Sequence, residues 1–314
     1  QNSRFKGTTG MAIDADPLYG NYTPTVTAIN NWWGDNSGPT TPTNPNGRGQ
    51  SIRGNVIFDP WIGKFLDPVI IVPGIMGSAD KDGAWVIDPI FHTYDDLIDT
   101  LQANGYTYDS NLFSFPYDWR ESNTVTALLL EHKINQVKQI CQCGKVDLVA
   151  HSMGGLVARQ YIQSNRYNCD VDQLIFLGTP HLGSPESYLT WEGGEISPGL
   201  VNRGIKFLFS REARKSGYAN LYEYIRSRPI YSVQELLPIF NYLHDVTTST
   251  LRTYPMNYPQ NIFLENLNNT SSSLYQSGVR ITNIVGDLGP TSTIQTIRVV
   301  STPNPPRWEN GYPD

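Results

Sequence analysis

Between positions 146 and 162 the chain reads VDLVAHSMGGLVARQYI. Val146, Leu148 and Val149 make a short buried strand, and the apolar-periodic segment from Leu156 to Ile162 makes a helix with Arg159 and Gln160 on its other face. Ser152 stands at the junction, with Ala150 two residues before it and Gly154 two after. A serine on such a turn exposes its hydroxyl and has a helix N-terminus behind it. The chemistry this allows is attack on an acyl carbon to give a covalent acyl-enzyme. Ala150 replaces the first glycine of the G-x-S-x-G pattern and adds one methyl, which the elbow absorbs. The plain alternative is an ordinary strand–helix turn that contains Ser and Gly.

A nucleophile needs a place for the negative oxygen it creates. Residues 68–78, PVIIVPGIMGS, form a second buried strand ending in a glycine turn. In a serine hydrolase built this way, the loop after an early strand supplies one backbone N–H to the oxyanion, and the residue after the nucleophile supplies the other. Ile75 and Met153 are the expected donors. Two such donors are worth roughly 3 kcal/mol each in the transition state.

PVIIVPGIMGS, LFSFPYDWR (112–120), VDLVAHSMGGLVAR (146–159) and LIFLGTPHLGSP (174–185) occur in the order and rough spacing of the lecithin:cholesterol acyltransferase-like family. The chain resembles that family from about Asp67 to its end. The resemblance implies an α/β-hydrolase fold, with a mostly parallel sheet and a helical cap insertion. It also implies a serine acyltransferase, lipase or esterase acting on lipid esters, with Ser152 as nucleophile and Ile75 and Met153 as oxyanion donors. No cofactor is implied.

A triad in this fold runs Ser, then Asp or Glu, then His along the chain. The five histidines are His92, His132, His151, His181 and His244, and only the last two follow Ser152. By resemblance, GTPHLGSP places His181 ahead of the cap. His244 lies in LLPIFNYLHDV, which reads as a helical part of the cap. ITNIVGD (281–287) ends in Asp287 at the usual position of the acid. Yet GDLGPTST looks like the segment that precedes the family's acid-bearing loop, so Asp287 is carried as the weaker candidate. The expectation is that acid and histidine lie beyond Asp314, that the chain is a fragment, and that by itself it is nearly inactive.

The front of the chain differs in composition. Residues 22–65 are rich in Asn, Gly, Thr and Pro, with short β-like runs at Thr25–Ile29 and Asn55–Phe58. NWWGDNSGP followed by FDPW looks like the closing rungs of a right-handed parallel β-helix, an array that needs several stacked rungs to bury a core. A turn-rich linker is the other reading. The boundary falls near Gly63 to Asp67, giving a β-rich segment over 1–63 and a hydrolase domain over 67–314 with a cap at about 186–278. No signal peptide is visible at QNSRFKG, and the expected location is extracellular or at the cell surface. A second functional reading follows: a non-catalytic β-helix surface or binding protein with a degenerate hydrolase domain.

The net charge of −6 and the lack of a basic patch exclude a nucleic-acid partner. No run approaches the ~18 apolar residues of a membrane span. The partner expected is a lipid or apolar ester, with peripheral contact to a lipid surface. Cys141, Cys143 and Cys169 make a poor metal site, since structural zinc takes four ligands. If the strands after them are neighbours, Cys169 is placed to bridge to Cys141 or Cys143; three free thiols are the other reading.

The remaining elements follow from pattern. Thr93 to Leu101 is a helix with Asp95 and Asp96 in its first turn. Glu121 to Ile140 is an amphipathic crossover helix with Val125, Leu128, Leu129, Ile134 and Val137 on its packed side. Asp118 and Arg120 read as a structural ion pair. The aromatic-rich stretch after Pro185 reads as a cap lining an acyl cleft, with TWEGGEIS (190–197) as its glycine hinge. Asn268 and Asn269 are formal N-glycan acceptors.

Overall fold

The run Val69–Val72 is apolar on both of its faces, and all four residues are buried in the computed structural model. Residues 11–16, 24–35, 37–59, 61, 66–89, 92–196, 200–286, 294–301 and 307–314 are described. The chain divides into two units, Gln1–Asp67 with Asp96–Asn111, and Pro68–Asp95 with Leu112–Asp314.

Among the described residues the first unit holds five short strands: β1 (Ile13–Ala15), β2 (Val26–Thr27), β3 (Pro39–Thr40), β4 (Gly49–Gly54) and β5 (Val56–Ile57). All their pairings are parallel, in the orders β1-β4-β3 and β2-β5. The two β-like runs expected at residues 25–29 and 55–58 are thus partners. Ala28, Trp33 and Ile52 form the small buried core.

The second unit opens with β6 (Val69–Val72), the hairpin β7 (Ser78–Lys81) and β8 (Ala84–Ile87). Helix α1 (Asp95–Ala103) belongs, from Asp96 on, to the first unit; the second resumes at β9 (Leu112–Ser114), then α2 (Asn123–Cys141), β10 (Val146–His151), α3 (Met153–Ile162) and β11 (Val171–Leu177). An insertion follows: α4 (Glu186–Gly193), α5 (Leu200–Lys215), α6 (Leu221–Arg226), α7 (Tyr231–Glu235), β12 (Leu243–Asp245) and β13 (Thr250–Leu251). Next come α8 (Ile262–Asn269), α9 (Ser271–Gln276), β14 (Arg280–Ile284), β15 (Ile297–Val300) and β16 (Tyr312–Pro313).

The main sheet has the order β14-β11-β10-β6-β9, parallel throughout. From β6 the chain moves outward to β9, then returns across β6 to β10 and continues to β11 and β14. The order therefore reverses between β6 and β10. In open α/β sheets the crevice at the carboxyl ends of two such strands is where ligands bind. Strand β6 is buried on both faces, as expected, whereas β14 is exposed except at half-buried Ile281, with β11 its one sheet neighbour among the described residues.

Helix α2 corrects one expectation. Its buried face is Ala127, Leu130, Ile134 and Val137, while Val125, Leu128 and Leu129 are 44 %, 41 % and 47 % exposed. Apolar residues surround this helix, so hydrophobicity alone does not select the packed stripe; the 3–4 spacing through Leu130 and Ile134 does. Ser122 caps the helix by accepting the Thr124 N–H at 3.2 Å. Glu235, at the end of α7, accepts both the Ser122 hydroxyl and the Asn123 N–H at 2.7 Å. A carboxylate at a helix N-terminus is favoured by the helix dipole, and here it fastens the insertion to the crossover helix.

The cysteine pairing also differs. Cys141 and Cys143 are bridged to each other, and Cys169 is free and exposed. Gln142 adopts φ 52°, ψ 40° at the end of α2, and this left-handed turn brings the two cysteines together without a neighbouring strand. The segment Thr190–Gly194 is packed rather than hinged, and Ser197 lies outside the described residues. A Cβ on Gly193 would meet the Trp308 indole at 1.9 Å, so the small residue is there to admit the ring. Buried Glu192 accepts the Asn310 N–H at 3.0 Å and an Arg226 Nη1 donor at 3.3 Å. The stretch after α7 is not a continuing helix: His244 lies in β12, paired with β13 and β15.

Candidate active site

Strand β10 delivers Ser152 at its carboxyl end. Its backbone turns to φ 51°, ψ −123°, a region costly for a residue with a side chain. The turn is held by the Ser152 N–H to Leu177 O at 2.9 Å and the Gly155 N–H to Ser152 O at 3.0 Å. Helix α3 starts at Met153 and lies so close that a Cβ on Gly154 would sit 2.4 Å from Val72 O and 2.5 Å from Pro73 O. A Cβ on Gly155 would fall 2.0 Å from the Thr179 hydroxyl. Ala150 is fully buried between β6 and β11, so its extra methyl is accommodated.

Strand β6 delivers the second half. The loop Pro73–Gly77 closes with the Gly77 N–H donating to Gly74 O at 3.0 Å. Gly74 faces the elbow, since a Cβ there would meet Ser152 Cβ at 2.9 Å. Ile75, Met76 and Ser152 line one cavity of about 390 Å³, with Ile196, Phe209 and Leu236 from the insertion. Neither the Ile75 nor the Met153 N–H has an acceptor among the described residues. The structure therefore brings Ile75, Ser152 and Met153 together at the switch between β6 and β10.

Two tyrosines fix the loop, and the sequence reading missed both. The Tyr94 hydroxyl accepts the Gly74 N–H at 2.9 Å and is hydrogen-bonded to His151 Nδ1 at 2.8 Å. The Tyr117 hydroxyl donates to Pro73 O at 2.7 Å. Burial raises the Tyr94 phenol to about 12 and lowers the His151 imidazole. Tyr94 and His151 are 57 residues apart, and no local pattern links them.

None of the five histidines hydrogen-bonds to Ser152. His92 Nδ1 meets Asp95 Oδ2 at 2.9 Å, and His132 is exposed on α2. His151 is engaged with Tyr94. His181 Nδ1 accepts from Arg159 Nη1 at 3.2 Å, and burial, then the nearby guanidinium, push its pKa down to about 4. His244 Nδ1 is buried in β12 without a partner. Asp287 lies outside the described residues. Arg159, 3 % exposed, donates to Leu267 O at 3.1 Å and Asn268 Oδ1 at 2.8 Å, which ties α8 to α3. Asn268 in turn donates to His181 O at 2.9 Å, so its amide is engaged rather than free for a glycan.

Asp118 and Arg120 form the structural pair expected of them: Nε and Nη2 of Arg120 each meet the carboxylate at 2.7 Å, and Nη1 meets Glu212 of α5. Among the described residues no helix is long and apolar enough to cross a membrane.

A parallel sheet, a strained serine between strand and helix, and a glycine loop on the adjacent strand define the α/β-hydrolase fold. Residues 82–284 match the lecithin:cholesterol acyltransferase family, and the chain belongs to it. It is 31 % identical over 147 residues to phospholipase A(1) LCAT3 of Arabidopsis thaliana, covering 41 % of this chain and 32 % of that protein. It is 28 % identical over 169 residues to lecithin-cholesterol acyltransferase-like 4 of the same plant, covering 48 % and 29 %. The chain thus spans about a third of the length of these curated relatives. Mature lipase BlEst2 of Bacillus licheniformis overlaps 73 % of this chain and 69 % of its own, with a TM-score of 0.43 and 17 % identity.

Proposed function

We propose that this chain carries the nucleophile and oxyanion half of a serine acyl-transfer site for lipid esters. The observation that carries this reading is the strained backbone of Ser152 beside two unaccepted N–H groups, in a cavity lined by Ile196, Phe209, Val233 and Leu236 together with polar Ser184, Glu186, Ser187 and Thr190. Ser152 Oγ attacks the ester carbonyl, its proton passes to a base, and the oxyanion is held by the Ile75 and Met153 N–H groups. Collapse expels the alcohol and leaves the acyl group on Ser152, from which water or a second alcohol takes it. No histidine of the chain hydrogen-bonds to Ser152, and none of the five is assigned as the base. Family membership and the names of its relatives support the lipid-ester substrate.

The further parts of the reading are an extracellular or cell-surface setting, peripheral contact with a lipid surface, and a cap over Ser152 at about 186–278. The parallel pairings of the first unit support its reading as the end of a β-helix. The test of substrate class is chain length. With imidazole supplied as a diffusible base, p-nitrophenyl dodecanoate is expected to acylate the chain at least about tenfold faster than the acetate, the size of effect that burial of a few methylenes gives. Equal rates would remove the apolar substrate from the reading.

A further inference from the structure

A cavity of about 420 Å³ opens between β14, α9 and the loop after β11. That volume is in the range of small-molecule sites. It shares no lining residue with the cavity that holds Ser152. Arg159 and His181 line it together with Phe176, whose ring meets the His181 ring edge to face with centroids 4.7 Å apart. Two large side chains, Leu182 and Tyr275, also line it and stand 55 % and 75 % exposed. The cavity therefore joins a buried cation to an exposed hydrophobic rim.

The cation is unbalanced. Arg159 is 3 % exposed, and a buried charge is costly unless an opposite charge meets it. Its acceptors are all neutral: Gln163 Oε1 at 2.9 Å, His181 Nδ1 at 3.2 Å, Leu267 O at 3.1 Å and Asn268 Oδ1 at 2.8 Å. Among the described residues no carboxylate pairs with it, and burial pushes its pKa down to about 10. A guanidinium has five N–H donors, so one N–H on Nη1 is left over. His181 accepts at Nδ1 and, being neutral, carries its proton on Nε2, which brings a second donor to the cavity. Tying α8 to α3 accounts for the bonds Arg159 makes. It does not account for an unmatched charge beside an open cavity.

We propose that this cavity is a carboxylate site: Arg159, with His181, holds the head of an aliphatic monocarboxylate, and Phe176, Leu182 and Leu274 receive its chain. One positive charge with two N–H donors matches a monoanion with two oxygens. The apolar walls favour a hydrocarbon body over a small hydrophilic acid. Because the cavity is separate from the elbow, the binding depends neither on Ser152 nor on the ester-site reading.

The test is calorimetric titration of the chain with octanoate, with acetate and 1-octanol as comparison probes. The expected result is one saturable site for octanoate, at least about tenfold tighter than for either comparison probe. Arg159→Gln removes the cation but also loosens the tie between α3 and α8, so the deciding variant is Asn283→Asp. Asn283 is exposed on β14 and lines the cavity, and this isosteric change sets a carboxylate there in place of the ligand's own. The Asn283→Asp chain should lose at least that factor for octanoate and leave octanol unchanged. Leu182→Ser should weaken octanoate with Arg159 present. Ser152→Ala should bind as the parent does; a loss there would move the bound octanoate to the Ser152 cavity and overturn the proposal. Octanoate held no more tightly than octanol, or undiminished in Asn283→Asp, would overturn it as well.

Discussion

Ser152→Ala is expected to abolish the imidazole-dependent turnover of p-nitrophenyl esters and to leave the slow imidazole-independent rate nearly unchanged. In a complete triad, loss of the serine alone costs about as much as loss of all three members, because they act as a unit. In this chain no histidine hydrogen-bonds to Ser152, so its hydroxyl is not activated in plain buffer. What remains is the proposed oxyanion pair of Ile75 and Met153, and an oxyanion hole retains roughly 10³–10⁴-fold over water whether or not the nucleophile is present. Imidazole supplies the missing base, and only then does the serine matter. The measurement is the rate of each chain with and without imidazole, after subtraction of the buffer reaction. A parent chain that turns over rapidly without imidazole, and loses that rate on Ser152→Ala, would place a base inside the chain and contradict this account.

Gly154→Ala is expected to be among the most damaging single-methyl changes in the molecule. The added Cβ would lie 2.4 Å from Val72 O and 2.5 Å from Pro73 O, and both obstacles are backbone. Val72 ends the buried strand β6, hydrogen-bonded between β9 and β10, so it has little room to retreat. Overpacking a core costs about 1–3 kcal/mol and occasionally more. With two backbone oxygens overlapped, about 3 kcal/mol is the expected loss in urea unfolding. Gly155→Ala provides a milder contrast, because its obstacle is the Thr179 side chain, whose Oγ1 and Cγ2 can rotate although its Cβ, at 2.8 Å, must also shift slightly. A Gly154→Ala chain within about 1 kcal/mol of the parent would mean that helix α3 can slide off β6, an ordinary surface-like cost. The elbow would then not be held as described.

The strand–serine–helix elbow and the glycine loop after β6 were legible because their signals are local: a buried run and a turn of small residues, followed at the elbow by helical periodicity. The parallel character of the sheet follows from the same alternation of strands and helices, whereas its order does not. The features missed depend on contacts between distant residues. Tyr94 reaches Gly74 and His151 from a loop whose own sequence carries no sign of it. Helix α2 offers apolar side chains on every side, so only packing distinguishes Leu130 from Leu129. The Cys141–Cys143 bridge depends on the left-handed turn at Gln142, not on neighbouring strands. Gly193 and Gly194 look like a hinge in the sequence, yet Gly193 makes room for Trp308 from near the chain's end. Glycine permits both mobility and close approach, and the sequence does not say which is used.

The most direct measurement is peptide-level mass spectrometry of the parent chain, quenched in acid after exposure to p-nitrophenyl dodecanoate and imidazole. The account predicts a single dodecanoyl group, on the peptide that contains Ser152. An adduct confined to the exposed Cys169 or to lysines, with Ser152 unmodified, would contradict it.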